Sequence, residues 1–155
     1  MNGKKGILCL AVIVLLLGAM LAAVLYDPWP AYLEKTPAEI SRTPKEGLSL
    51  TVTAVDPEKR TVTVCLRNDS GAEVEYDGYA WQLYQIRDGV LYGVKPLREW
   101  RDAPAIYTAV TNGSTVDIVC NWGAIYEEIG PGEYEIQVPA AEGKRYAAAS
   151  FRLEE

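Results

Sequence analysis

The chain has 155 residues, about one domain's worth, with 15 Lys and Arg against 21 Asp and Glu and no histidine. The missing imidazole excludes Ser-His-Asp and Cys-His nucleophile pairs and most zinc sites. The excess of anions argues against binding to bulk nucleic acid, whose phosphates need clustered cations.

Residues 1–6 carry Lys4 and Lys5 and precede an uncharged apolar run over residues 7–26. Twenty residues at helical rise span about 30 Å, the thickness of a bilayer's hydrocarbon core. Tyr26 and Trp29 stand at its exit, where amphipathic rings favour the headgroup region. The lysines on the short side predict a cytoplasmic N-terminus and an extracytoplasmic remainder, with residues 7–26 as a single-pass membrane anchor. Cleavage as a secretory signal is the alternative; the run is long for one, and Ala22-Ala23 followed by Val24-Leu25 makes a poor cleavage site. A lipoprotein reading fails because Cys9 follows Leu8 and lies too early in the run. Beyond the run, 13 cations face 21 anions, a net charge of −8.

Residues 27–46 hold Pro28, Pro30, Pro37 and Pro44 and read as a semi-extended spacer. From residue 47 onward the apolar period is two. Leu48, Leu50, Val52 and Ala54 form the first apolar face, and Val62, Val64 and Leu66 the second after a turn over Asp56-Pro57-Glu58-Lys59. Val74 and Tyr76 face inward opposite Glu73, Glu75 and Asp77, with Tyr79, Trp81 and Leu83 continuing the apolar set. Asp88-Gly89 predicts a hairpin, with Val90, Leu91 and Tyr92 on the return strand. Residues 93–109 carry Pro96 and Pro104 and read as irregular. Val116, Ile118, Cys120 and Trp122 alternate next, then Tyr134, Ile136 and Val138 after the Ile129-Gly-Pro-Gly132 turn, and finally Ala147, Ala149, Phe151 and Leu153. Seven strands in roughly 110 residues, with regular turns, predict an all-β, seven-stranded Ig-like β-sandwich over residues 47–155 preceded by one N-terminal transmembrane helix.

The order of motifs resembles the bacterial Ig-like domain family of Gram-positive envelope proteins. The residues carrying the resemblance are Leu50-Thr-Val52, Asn68-Asp-Ser70, Tyr76-Asp-Gly78 and Trp122-Gly-Ala-Ile-Tyr126-Glu-Glu-Ile129-Gly-Pro131-Gly132-Glu-Tyr134. Asp77 and Glu127 depart from the family's preference for glycine at or near those places. The resemblance covers residues 47–155 and implies an envelope module with no common activity.

Candidate sites are few. Cys65 falls on the polar face of its strand and Cys120 on the apolar face of another, and opposed Cβ directions forbid a disulfide without backbone distortion. Glu73, Glu75 and Asp77 could suggest a calcium site or a glycosidase acid pair. Without a glycine-containing ligand loop they read instead as a solvated strand face that discourages edge pairing. No metal site, cofactor or enzyme activity is expected, because nothing assembles nucleophile, base and oxyanion donors. Asn68-Asp-Ser70 and Asn112-Gly-Ser114 fit a glycosylation pattern but are already explained as turns.

The segment from Tyr92 to Tyr107 differs in kind, because it gathers Arg98, Trp100, Arg101 and Tyr107 in a proline-bearing loop. Tyr, Trp and Arg dominate binding hot spots, and loops on rigid β domains commonly carry recognition. The competing reading folds Trp100 down as a cap on an open end of the domain. The expected function is therefore a non-enzymatic, membrane-anchored interaction module of the cell envelope. Its binding residues are Tyr92, Arg98, Trp100, Arg101 and Tyr107, and its partners are the membrane through residues 7–26 and an envelope protein. A cell-wall glycan-binding module and an accessory subunit of a membrane complex are the alternatives.

Overall fold

The computed structural model describes residues 29–39, 43–97, 106–126, 128–140 and 145–154. The expected membrane anchor at 7–26 and the loop residues Arg98, Trp100 and Arg101 lie outside the described residues. No helix among the described residues is long and apolar enough to cross a membrane.

The described residues form an all-β fold, with almost entirely antiparallel pairing. Ten strands run in order: β1 (Thr43–Pro44), β2 (Leu48–Asp56), β3 (Thr61–Asn68), β4 (Val74–Asp77), β5 (Gln82–Arg87), β6 (Val90–Gly93), β7 (Tyr107–Val110), β8 (Thr115–Asn121), β9 (Gly132–Pro139) and β10 (Arg145–Leu153). Among the described residues one helical turn, α1 (Trp122–Ile125), interrupts them. They form a five-stranded sheet β1-β10-β9-β5-β6, a three-stranded sheet β2-β3-β8 and a two-stranded ribbon β4-β7. β1 joins the first sheet in parallel with β10, by two residues.

The alternation read from the sequence sets the buried faces. Val62, Val64 and Leu66 of β3, Ile118 and Cys120 of β8, and Tyr134, Ile136 and Val138 of β9 are all buried. Each fully buried aliphatic or aromatic side chain contributes about 1.5–3 kcal/mol. Trp122, at the end of the three-stranded sheet, stacks on Phe151 of the five-stranded one at 6.2 Å.

Three expectations are corrected. The apolar face of the first strand does not run on to Ala54, because the register with β3 shifts between Val52 and Ala54. The extra residue of this bulge turns Ala54 into solvent and Val55 inward. Tyr79 is not part of the core: the Asp77 carboxylate accepts from the Tyr79 N–H at 3.0 Å, and the resulting turn splits β4 from β5. Trp122 does not end a strand but opens α1, capped by Asn121, whose side chain accepts from the Ala124 N–H at 3.1 Å. The strand count is therefore ten among the described residues, with β1, β7 and the β4/β5 break beyond the seven expected.

Part of the proline-rich segment packs as a strap on the folded unit, which starts at Ala31. Leu33 is fully buried and bridges Val94. The Glu34 N–H bonds Gly93 O at 2.9 Å, and the Ala38 N–H bonds Leu91 O at 2.8 Å, along the outer edge of β6. Three prolines shape the described part without preventing these bonds, since proline removes only its own N–H.

Candidate recognition surface

At the Asp77 end of the β4-β7 ribbon three of the five exposed large apolar residues among those described come together in the chain, the other two being Val90 and Val119. Asp77 sits at the end of β4 opposite Tyr107 at the start of β7. Its Oδ1 accepts from the backbone N–H groups of both Tyr79 and Ile106, at 3.0 and 3.3 Å. The Gly78 N–H donates to Ile106 O at 3.1 Å, extending the ladder by one step. One carboxylate thus ties the turn after β4 to the residue before β7. Tyr79, Ile106 and Tyr107, held there, are 45, 50 and 55% exposed. Exposed large apolar side chains that lie together, unlike ones scattered singly, are a mark of an interaction site.

Of the five binding residues expected from the sequence, only Tyr92 and Tyr107 are described. They are not brought together by strand pairing. Tyr107 belongs to the two-stranded ribbon, whereas Tyr92 pairs with Gln85 in the five-stranded sheet and is half-buried. Sequence reasoning missed Tyr79 and Ile106: strict alternation placed Tyr79 inside, and Ile106 lay in a stretch read as irregular. The Asp-Gly step at 77–78 was the available signal, since aspartate often bonds the backbone two residues on.

Asp77 is occupied by two backbone donors, and no group of metal-binding side chains occurs among the described residues. Cys65 and Cys120 are both free thiols on neighbouring strands. Cys65 stands opposite Asp117 and Cys120 opposite Val62, three registers apart on opposite faces. Burial pushes the Cys120 thiol up to about 12.

A second surface lies on the outer face of the five-stranded sheet. Tyr84 pairs with Glu135, and Gln82 with Gln137. The Tyr84 hydroxyl donates to Gln82 at 2.7 Å, and the Gln137 amide donates to Glu135 at 2.7 Å. Gln137 is wholly buried, yet its Oε1 has no hydrogen-bond partner among the described residues. Burial, and then Glu135, raise the pKa of Tyr146 on β10. Among the described residues the remaining grooves include open ones. One of about 380 Å³ lies between Arg60 and Pro131, over the buried Trp122.

No protein-family model matches the sequence, and no curated protein matches it. Among solved structures, the archaellum periplasmic stator protein FlaG from Sulfolobus acidocaldarius is similar over 67% of this chain and 99% of its own. The identity is 18% and the TM-score 0.41, a likeness too slight to carry a function across.

Proposed function

We propose that this chain is a non-catalytic, membrane-anchored interaction module of the bacterial cell envelope, displaying one extracytoplasmic Ig-like sandwich that works by binding. The sheet orders β2-β3-β8 and β10-β9-β5-β6 support the sandwich, because they follow the A-B-E and G-F-C-C′ neighbours of an Ig domain. The Tyr134 hydroxyl donates to Gly130 O at 2.7 Å, four residues upstream at the turn before β9. This is the geometry of a tyrosine corner. Trp81, next to β5, is buried against Tyr126 with ring centroids 5.7 Å apart, in the place of the core tryptophan of such domains. The anchor rests on the length and lack of charge of residues 7–26.

The observation that carries the binding reading is the cluster of Tyr79, Ile106 and Tyr107, held in solvent by the Asp77 turn. It adjoins the segment that holds Arg98, Trp100 and Arg101. Affinity capture from solubilised envelope with the full chain, against a Trp100→Ala/Tyr107→Ala variant, tests it. A defined envelope protein lost at least tenfold in the variant, at unchanged melting temperature, supports the reading. Parallel loss of capture and of melting temperature overturns it.

The second reading is cell-wall glycan binding on the outer sheet face. It is favoured by half-buried Tyr84, which pairs with Glu135, and by half-buried Tyr146, whose phenol feels the charge of Glu135. Aromatic rings with a few placed polar groups suit a sugar. Retention on washed cell-wall glycan that Tyr84→Ala and Tyr146→Ala abolish, and Tyr107→Ala does not, would put this reading first.

A further inference from the structure

The sheet edges differ in how they are closed. The outer edge of β6 carries the strap through Glu34 and Ala38, and β1 is only two residues long. β7 is different. It is the terminal strand of its ribbon, and Tyr107, Thr108 and Ala109 are all exposed. None of β7's four residues is charged or proline, although lysine or proline is the usual means of blunting an edge.

The hydrogen-bond parity of the ribbon gives the direction of each backbone group. The Gly78 N–H meets Ile106 O, and the Ile106 N–H meets Asp77, so Ile106 turns its polar groups toward β4. Antiparallel pairs alternate between bonded and non-bonded. Thr108 and Val110 therefore also turn toward β4, and the N–H and C=O groups of Tyr107 and Ala109 turn away. Among the described residues no strand pairs with them.

The side chains beside that edge select its occupant. On the outward face the pairs are Glu75 with Ala109 and Asp77 with Tyr107. Glu75 is exposed, and the alanine between it and the edge leaves its carboxylate uncovered from that side. A strand added beside β7 would lie about 10 Å from β4, two strand spacings away. A lysine or arginine opposite Ala109 crosses the alanine to reach Glu75. The residue two positions along meets the Tyr107 ring, which also favours a cation. An anionic segment would meet Glu75 and the domain's net negative charge instead.

We propose that the outer edge of β7 accepts an extended cationic segment of a partner protein by strand addition. The segment has a Lys/Arg-x-Lys/Arg pattern, its main chain bonds to Tyr107 and Ala109, and one cation reaches Glu75. This rests on the interaction-module reading and names the partner's chemistry. Backbone pairing supplies affinity in this mode and the alternate side chains supply specificity.

The probe is an acetylated, amidated Thr-Lys-Val-Lys-Val-Lys-Thr peptide, with its Glu-for-Lys twin as control. Each is titrated into the full chain in a non-ionic detergent, with amide exchange followed residue by residue by NMR. The lysine peptide is expected to slow exchange at Tyr107 and Ala109 at least tenfold and the glutamate twin to leave it unchanged. Ala109→Pro removes an outward N–H while sparing the β4 ladder, and Glu75→Lys reverses the selecting charge. Each is expected to weaken binding at least tenfold, the second serving if the first fails to fold. No protection at these two amides, an equal response to the twin, or full binding by both variants overturns the proposal. Protection present without peptide and rising with protein concentration assigns the edge to a second copy and also overturns it. Loss of envelope capture in Trp100→Ala/Tyr107→Ala with none in Ala109→Pro or Glu75→Lys overturns strand addition alone and leaves the interaction module standing.

Discussion

Asn68 has the densest polar role among the described residues. It is fully buried at the end of β3, and its amide donates to Ala72 O and Val110 O, both at 2.8 Å. Its Oδ1 accepts from the Ser70 N–H at 3.0 Å and the Ser70 hydroxyl at 2.7 Å. Both amide protons are thus committed, so a glycan on this nitrogen would displace one of the two bonds. Asn68→Ala strands several buried partners at once and is expected to destabilise by about 3 kcal/mol in denaturant unfolding. Asn112→Ala, which loses one exposed bond to the Gly71 N–H, is expected to lose about 1 kcal/mol. The two thiols separate in the same way. In a Cys9→Ser background, iodoacetamide at about pH 8 is expected to modify half-buried Cys65 and spare Cys120 until the protein unfolds. The folded pKa of Cys120 lies above its ordinary value of 9.0, at about 12, so the unfolded chain loses the proton first. Its contribution to stability is intact below about 9 and is lost as pH rises toward 12. Burial raises the phenols of Tyr126 and Tyr134 in the same direction. The denaturant midpoint should therefore fall above about pH 9, and fall less steeply in Cys120→Val.

At the scale of elements, turns and close approaches decide what the strands can be. Gly47 has φ +77°, and a Cβ there would lie 2.5 Å from the Ser70 backbone. Gly71 and Gly89 also have positive φ, but a Cβ at either would meet nothing. Gly71→Ala and Gly89→Ala should each destabilise by about 1 kcal/mol from backbone strain alone. Gly47→Ala should exceed both by at least about 2 kcal/mol, because backbone must move against backbone. Equal midpoints for the three variants would overturn the close-approach argument. Such elements divide sharply in how legible they were. The Asp88-Gly89 hairpin followed from composition, because both positions need positive φ and have it. β3, β8 and β10 followed from a period of two, because one face of each is more buried than the other, and β9 followed from the alternation of Tyr134, Ile136 and Val138, although Gln137 and Pro139 on its other face are buried as well. The bulge in β2 was hidden, since an inserted residue leaves Val52, Ala54 and Val55 equally apolar in sequence. β7 was hidden by the prolines of the loop before it. The exposed cluster was half legible: Tyr107 came from residue type, while Tyr79 required knowing that Asp77 bends the chain.

For the whole molecule, the question is where folding begins in sequence. The alternating pattern starts at residue 47, and 47–155 looks like a complete unit by that criterion. The contacts place the start at Ala31. Leu33 fills a closed site beside Val94, and the Tyr32 hydroxyl accepts from the Gln85 Nε2 amide and from the Tyr134 hydroxyl, each at 3.4 Å, in the cluster that includes the Tyr134–Gly130 bond. Removing the strap therefore opens a cavity, strips the edge of β6 and loosens the turn that orients β9. A buried leucine removed to alanine typically destabilises by about 2–5 kcal/mol. Deleting the whole strap with β1 should exceed that, a large share of the 5–15 kcal/mol that holds a typical domain. A fragment of residues 31–155 is expected to unfold cooperatively with dispersed amide resonances. The fragment 47–155 is expected to melt at least 10 °C lower, by about 4–8 °C per kcal/mol, or to aggregate through the bared β6 edge. Leu33→Ala separates the two causes, since it empties the cavity and leaves the strap's backbone bonds in place. If it reproduces most of the truncation's loss, side-chain packing dominates; if it reproduces little, the backbone cover of β6 does. Equal melting of 47–155 and 31–155 would return the strap to the role of a passive spacer.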